Sequence, residues 1–335
     1  MSIDTPAWIA DQTRSLLAQR GHAWLLSGPA GLGQYELALG LVKAWLCEKP
    51  HTVGACGQCG SCHAIDVRTH ADLCVLMPET WMLELGWPLA EKAQADLDEK
   101  KRKPSKEIRI EAMRDAVDFS QRTSARGRGK AVLIYPAEDM NAFTANALLK
   151  TLEEPPGDVR FVLASEAAHQ LIPTIRSRCQ VHTMVWPDEV LALGWLGTQG
   201  LEPAQAGVAL RACGGRPEPA LHWARSGQDP ALWAAIPRAM ARGDLQAVRD
   251  WTPQQVLGTQ QQLCHDLMAV SVCAAPRFFT TQDLNFEVPL AELSQWSTAL
   301  LAHRRTMDHP FTPGLFIEAL MAQAHSVLAK PSSVT

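Results

Sequence analysis

Four cysteines carry the clearest chemistry in this chain. Cys47, Cys56, Cys59 and Cys62 form the pattern Cys-x8-Cys-x2-Cys-x2-Cys, with Gly54, Gly57 and Gly60 between them. Four thiolates at this spacing suit a tetrahedral zinc ion. The ligand set is complete without a histidine or carboxylate, so no position is left open for a substrate and the site reads as structural. His63, next to Cys62, is a competing ligand. A redox Cys-x-x-Cys pair is the other chemistry such spacing allows, although those pairs normally stand alone near a βαβ unit. Cys74, Cys179, Cys213, Cys264 and Cys273 are scattered and read mostly as small apolar fillers.

A second candidate is the glycine-rich stretch Gly28-Pro29-Ala30-Gly31-Leu32-Gly33-Gln34-Tyr35. It follows an apolar strand and opens a helix, the context a phosphate loop needs. Backbone N–H groups at a helix N-terminus attract phosphate. A working loop then needs a lysine for the outer phosphates and a small hydroxyl for magnesium. Those positions hold Gln34 and Tyr35. The strand Val132-Leu133-Ile134 should end in an acidic pair, and ends in Tyr135 and Pro136. Tyr35 and Tyr135 are the only tyrosines in the chain, and both stand where a working site would bind metal. The two losses together argue against ATP hydrolysis and against use of ATP or Mg²⁺. Taken alone, Gly28 to Tyr35 fits an unrelated strand-turn-helix equally well.

A third candidate is Arg178, in Thr174-Ile175-Arg176-Ser177-Arg178-Cys179. By itself it reads as a surface arginine or a salt bridge at the core edge.

The elements that must position these residues follow from hydrophobic patterning. His22–Ser27, Asp72–Met77, Lys130–Tyr135 and Arg160–Ser165 read as strands, with Gln180–Val185 a fifth. Gln34–Cys47, Ile110–Gln121 and Ala142–Leu152 read as helices, the first apolar almost all round and therefore buried. Strands alternating with helices predict a mostly parallel sheet covered on both faces. From about Trp186 strand signals fade and helix starts recur. Thr252-Pro253-Gln254-Gln255 predicts a capping box with proline in the first turn. Thr312-Pro313 opens a last helix in the same way, with Ile317, Leu320, Met321, Ala324, Val327 and Leu328 on one face. The tail from Pro331 to Thr335 reads as frayed. Glu79 to Glu107 fits neither pattern: its charged run Glu99–Lys106 reads as a solvated loop or helix end rather than a DNA contact, and the charged insertion 91–106 carries no assigned role.

At 335 residues the chain has room for two or three domains. Its net charge of −4 argues against a dedicated nucleic-acid coat. No apolar run reaches the roughly eighteen residues of a membrane span. The N-terminus, with Asp4, Asp11 and Arg14, lacks the plan of a signal peptide. A cytoplasmic protein is expected, with no membrane partner and no disulfide framework.

Together these segments resemble the clamp-loader branch of the AAA+ family. Asn146-Ala147-Leu148-Leu149-Lys150-Thr151-Leu152-Glu153-Glu154-Pro155-Pro156 looks like a long and specific signature of that branch. Ser177-Arg178-Cys179 follows at the expected distance, and the cysteine pattern sits in the right place after the loop. The match is strong to about Thr183 and weaker beyond. The losses at Gln34 and Tyr135 resemble the family's non-hydrolysing members rather than its ATP-hydrolysing gamma/tau subunits.

The resemblance implies an α/β P-loop domain to residue 185 with a zinc module at about 47–62. A helical lid domain (186–227) and an all-helical collar domain (228–335) would follow. It implies a non-ATPase subunit of the loader within the DNA polymerase III holoenzyme, a DNA-directed DNA polymerase. That loader opens a sliding clamp and places it on primer-template DNA. Its implied partners are the gamma/tau and delta subunits. Arg178 would be an arginine finger acting in trans on ATP held next door. The lid position that senses nucleotide in cis falls on Glu218, with Arg216 two residues early. The rival readings are a pure scaffold and an active gamma/tau-type ATPase. The latter would need a lysine, a serine or threonine and an Asp-Glu pair that the chain lacks.

Overall fold

The computed structural model describes residues 6–305 and 312–329. The tail expected to fray, 331–335, lies outside the described residues. The chain divides into two compact units, Met1–Pro187 and Asp188–Thr335.

In the first unit five strands form one parallel sheet. They are β1 (Ala23–Ser27), β2 (Leu73–Leu76), β3 (Lys130–Ile134), β4 (Val159–Ser165) and β5 (Gln180–Thr183), in the order β2-β3-β4-β1-β5. Leu25 pairs with Leu163 and Val181, Leu133 with Val162, and Leu76 with Ile134. The central strands are near-continuous apolar runs because helices bury both their faces. β5 lies at an edge and three of its four residues are exposed, which is why its apolar pattern is faint.

The helices of this unit begin with α1 (Ala7–Leu17), α2 (Gln34–Leu46), α3 (Gly60–Asp66), α4 (Glu79–Glu84) and α5 (Glu91–Asp98). They end with α6 (Ile110–Gln121), α7 (Ala142–Glu153) and α8 (Pro173–Arg176). Alternate strand residues Ala23, Leu25, Val132, Ile134, Phe161 and Leu163 pack with Met113 of α6, Leu148 of α7 and Ile175 of α8. α2 packs on β3 and β4, and α1 on α2. The loop after β1 therefore leaves the carboxyl end of a central strand, where open parallel sheets place their ligand sites.

The charged insertion is more ordered than its composition suggests. α5 lies within it, and the run after α5 is tied down by one buried carboxylate. Glu79 accepts from both terminal nitrogens of Arg102, from Ser105 N–H at 2.8 Å, and pairs with Arg109 at 3.2 Å. Burial alone would raise the Glu79 carboxyl, but these donors hold it below the usual range. Asp72 works the same way: burial is outweighed by Ala125 N–H, Arg126 N–H and the Ser124 hydroxyl.

The second unit is helical: α9 (Glu189–Thr198), α10 (Pro203–Ala212), α11 (Pro217–Arg225), α12 (Pro230–Arg242), α13 (Pro253–Ser271), α14 (Leu290–Arg305) and α15 (Pro313–Leu328). Its core joins Ala212 and Val208 to Trp233, Leu263, Trp296, Leu320 and Met321, so both sides of residue 227 contribute to it. The Thr252 capping box forms, with Thr252 N–H on Gln255 at 2.7 Å and Gln255 N–H on Thr252 at 3.3 Å. α15 buries Leu320, Met321, Ala324 and Leu328, but Thr312 makes no side-chain cap. Four of the five scattered cysteines pack in cores, where burial pushes Cys74 and Cys179 up to about 12 and Cys213 and Cys264 to about 11. Cys273 departs from the filler reading: it is exposed, past the end of α13, with φ of 60°.

Candidate functional site

The stretch from Gly28 to Tyr35 forms the loop between β1 and α2. Gly31 and Gly33 hold φ of 83° and 88°, and Gly33, at the helix cap, takes a left-handed conformation that a side chain would strain. The backbone of a phosphate loop is thus in place. Its chemistry points inward. Gln34 is buried and its amide donates to the carbonyls of Gly28 and Pro29, both at 2.8 Å. A lysine would send its cation toward phosphate, whereas this amide closes the loop on itself.

The two tyrosines, 100 residues apart in sequence, meet here. Their ring centroids lie 5.5 Å apart. Trp81 packs edge-on to Tyr135 at 5.6 Å, and Trp87 Nε1–H donates to the Tyr35 hydroxyl at 2.8 Å. The Tyr135 hydroxyl donates to Glu166 at 3.0 Å. Burial and the Glu166 carboxylate push the Tyr135 phenol well above its ordinary range. Burial also raises Tyr35 and Glu36, the latter with help from Glu166. Asp139 is pushed up to about 6 by burial and by Glu138, Glu166 and Glu107. Pro136 follows Tyr135 through a cis peptide and is itself buried. The lysine position is therefore turned onto the loop's own carbonyls through Gln34, and the hydroxyl and carboxylate positions are occupied by a hydrogen-bonded aromatic cluster in acidic surroundings. Sequence reasoning missed Trp81, Trp87 and Glu166. Trp81 sits in the short helix α4 and Trp87 just beyond it, in a segment whose sequence follows no pattern, and Glu166 follows β4 with no motif around it.

Arg178 lies between α8 and β5. Its Nε donates to Glu153 at 2.8 Å, its Nη2 to the same carboxylate oxygen, and its Nη1 to the Thr174 carbonyl at 2.9 Å. Glu153 ends α7, which carries most of the Asn146–Pro156 segment. The fold thus brings the two signature segments into direct contact. The side chains remain partly open, at 29% exposure for Arg178 and 48% for Glu153. In the second unit Arg216 donates through Nε to the Cys213 carbonyl at 2.7 Å, and Glu218 stands in the first turn of α11.

The four cysteines converge. All four sulfur atoms lie within 4.8 Å of one another. Neighbouring pairs are 3.8 Å (Cys47–Cys59), 3.9 Å (Cys56–Cys62) and 3.7 Å (Cys47–Cys62) apart. A tetrahedron with Zn–S of about 2.3 Å has an edge of about 3.8 Å, so the set fits a zinc ion. Disulfides would need about 2.05 Å. Cys56 N–H points at Cys47 Sγ and Cys62 N–H at Cys59 Sγ. Glu48 fixes the turn between them by accepting from Ser61 N–H at 3.0 Å and from Arg126 at 3.2 Å. His63 is exposed and outside this group.

A parallel sheet, a glycine loop at its carboxyl edge and a helical unit following it in sequence define a AAA+-type P-loop protein. The family described as "DNA polymerase III, delta subunit" matches residues 11–186. The DNA polymerase III subunit delta' of Pseudomonas aeruginosa is 32% identical over 293 residues, covering 87% of this chain and 75% of that one. The tau subunit of Escherichia coli K12 is 35% identical over 158 residues, 47% of this chain and 20% of tau. A gamma subunit-related protein from Thermotoga maritima aligns over 95% of this chain and 99% of its own, with a TM-score of 0.49 and 15% identity. The chain belongs to the delta-prime family of DNA polymerase III clamp-loader subunits. No described helix is long and apolar enough to cross a membrane.

Proposed function

We propose that this chain is a non-hydrolysing subunit of the replicative clamp loader that completes the ATP site of a neighbouring subunit with Arg178. The carrying observation is the contact of Tyr35 with Tyr135, whose hydroxyls are engaged by Trp87 and Glu166 where metal and its ligands would stand. The chain's own loop has no charge to offer ATP, while Arg178 keeps a planar cation at the surface. Set against the transferring phosphate of a neighbour, such a cation stabilises charge that develops in the transition state, worth roughly 10³–10⁵ in rate. In this reading the ATP-handling neighbours are gamma/tau subunits, a delta subunit completes the ring, and the sliding clamp and primer-template DNA are what the loader acts on. In this reading residues 186–227 serve as the lid and residues 228–335 as the collar that joins the subunits.

The test is ATP turnover by the reconstituted loader with clamp and primed DNA. Arg178→Ala is expected to abolish turnover at the one site it serves without dispersing the complex, and the lone subunit to be inert. Hydrolysis by the lone subunit would sink the reading of Gln34, Tyr35, Tyr135 and Pro136. Unchanged turnover in an intact Arg178→Ala complex favours the second reading, a pure scaffold. The salt bridge from Arg178 to Glu153 is the observation on that side.

The cysteine module would hold a structural zinc ion. Elemental analysis is expected to find about one zinc per chain, and none in Cys59→Ser/Cys62→Ser. Its loss should expose residues 48–60 to protease while the sheet stays folded. A full complement of zinc in that double variant would overturn the assignment.

A further inference from the structure

The carboxyl end of the sheet carries the phosphate loop. The opposite end, where the strands begin, carries a cavity of about 830 Å³ that the proposed function does not use. It is bounded by the end of α1, the end of α2, the first residues of the cysteine module, and the loops entering β1, β3 and β4. Four arginines line it, Arg14, Arg20, Arg128 and Arg160, against one carboxylate, Asp158. This concentration of positive charge stands out in a chain whose net charge is −4.

Two of the arginines are loosely engaged. Arg14 pairs with exposed Asp11 at 3.1 Å. Arg160 stands 3.6 Å from Asp158 and 5.7 Å from the Trp45 ring centroid. The guanidinium groups of Arg20 and Arg128 have no hydrogen bond or ion pair among the described residues. The backbone that presents them is nevertheless fixed. The Arg20 carbonyl accepts from Gln180 at 2.8 Å. On the other wall Asp72 holds Ala125 and Arg126, and Lys130 N–H donates to the Asp158 carbonyl at 2.8 Å. Gly129, at φ of 77°, passes so close to Asp158 that a Cβ would lie 2.5 Å from its carbonyl oxygen. Between these anchors the successive N–H groups of Gly127, Arg128 and Gly129 have no backbone partner among the described residues. Cations without counter-ions on pinned loops, beside a run of free N–H donors, are the makings of an anion site.

From this we infer that the cavity binds a chain of phosphates, either the backbone of a single-stranded nucleic acid or the polyphosphate of a free nucleotide. Forked guanidiniums and the backbone of Gly127 and Arg128 line it on several walls, which suits tetrahedral phosphates. The volume exceeds what one phosphate would fill. The inference stands on this geometry alone, independent of the function proposed above.

The experiment is fluorescence anisotropy of the full chain with a labelled oligothymidylate of about 12 nucleotides, at low salt and without magnesium. The comparison is Arg20→Ala/Arg128→Ala, whose exposed side chains leave the fold intact, as an unchanged thermal midpoint would verify. The variant is expected to bind at least tenfold more weakly. Its log–log salt dependence should be shallower by about 1.4, two phosphate contacts at about 0.7 each. Tripolyphosphate or ATP that displaces the strand from the unmodified chain identifies a free polyphosphate as sufficient. Arginine-dependent strand binding that they fail to displace identifies the nucleic-acid backbone. Dependence on Arg20 and Arg128 separates this site from any binding at Gly28 to Tyr35. The inference falls if the unmodified chain binds no phosphate probe, or if the double variant binds as well as its parent. It falls equally if a polyglutamate peptide binds more tightly with the same arginine dependence, which would make the cavity an acidic-peptide site.

Discussion

The loop after β1 and the arginine before β5 belong to the same unit and have opposite relations to their surroundings. In and beside the loop the side chains at the positions that would serve ATP are turned to internal use. Gln34 bonds to loop carbonyls, Tyr35 to Trp87 and Tyr135 to Glu166. Arg178 is held by one half-exposed carboxylate and one carbonyl, and stays partly exposed itself. A group that has lost its ligand inside a protein must find packing and hydrogen-bond partners, because an unsatisfied buried polar atom costs about 1–3 kcal/mol. A cation that serves another chain must avoid such capture. The difference teaches that a phosphate-loop backbone can persist as architecture while a cation kept at the surface stays available, as the role proposed for Arg178 requires.

The comparison breaks first if the aromatic cluster is not core. Tyr35→Ala and Tyr135→Ala should each destabilise the chain by about 3–5 kcal/mol, the usual cost of truncating a buried aromatic ring. Tyr35→Ala also strips Trp87 Nε1–H of its partner. Urea unfolding of each variant measures this. A loss under about 1 kcal/mol would mean the rings fill space loosely and that a nucleotide and its metal could displace them.

A smaller effect tests the electrostatics of the loop side. Carboxylates of Glu36, Glu138 and Glu166 surround Tyr135, and Asp139 is pushed up to about 6 from an ordinary 3.8. An acid raised in the folded state adds stability that is full below its unfolded pKa and is lost as pH rises through the folded one. The window here is about pH 4 to 6. Asp139→Asn should therefore leave stability unchanged near pH 3.5 and raise it at pH 7.5. A tenfold change in proton affinity is worth about 1.4 kcal/mol, and solvent screening at this half-buried site reduces the gain to roughly 1–2 kcal/mol. A flat difference across that range would mean that Asp139 is well solvated, and that the surroundings a phosphate would meet are less acidic than the geometry indicates.

Much of this contrast was legible in the sequence because phosphate-loop positions are set by spacing. Gln34, Tyr35, Tyr135 and Pro136 could be assigned without coordinates, and the cysteine pattern carried its own geometry. The parallel sheet followed from apolar runs alternating with helices. What stayed hidden was tertiary. Trp81 and Trp87 reach the tyrosines from a stretch with no periodicity, held by the buried Glu79 cluster rather than by a pattern of its own. β5 was faint because an edge strand keeps polar and exposed residues. The contact of Arg178 with Glu153 joins two recognisable segments, but their meeting depends on how α7 ends beside α8.

That contact gives the finest test of the comparison. A pair this exposed contributes little to folding, so Glu153→Ala should change stability by less than about 1 kcal/mol. Its effect on the assembled loader should be larger in kind. With Glu153 gone, the guanidinium keeps only the Thr174 carbonyl and is freer to turn toward a neighbour's phosphates. The ATP concentration for half-maximal turnover should then fall by a few fold, with Arg178→Ala still inactive at that site in the same background. Glu153→Gln, which keeps a hydrogen bond but loses the charge, should lie between. If turnover falls instead, Glu153 holds Arg178 in its working pose and the salt bridge belongs to catalysis. If neither Glu153→Ala nor Arg178→Ala alters turnover, the arginine is as inwardly committed as Gln34, and the contrast between the two regions disappears.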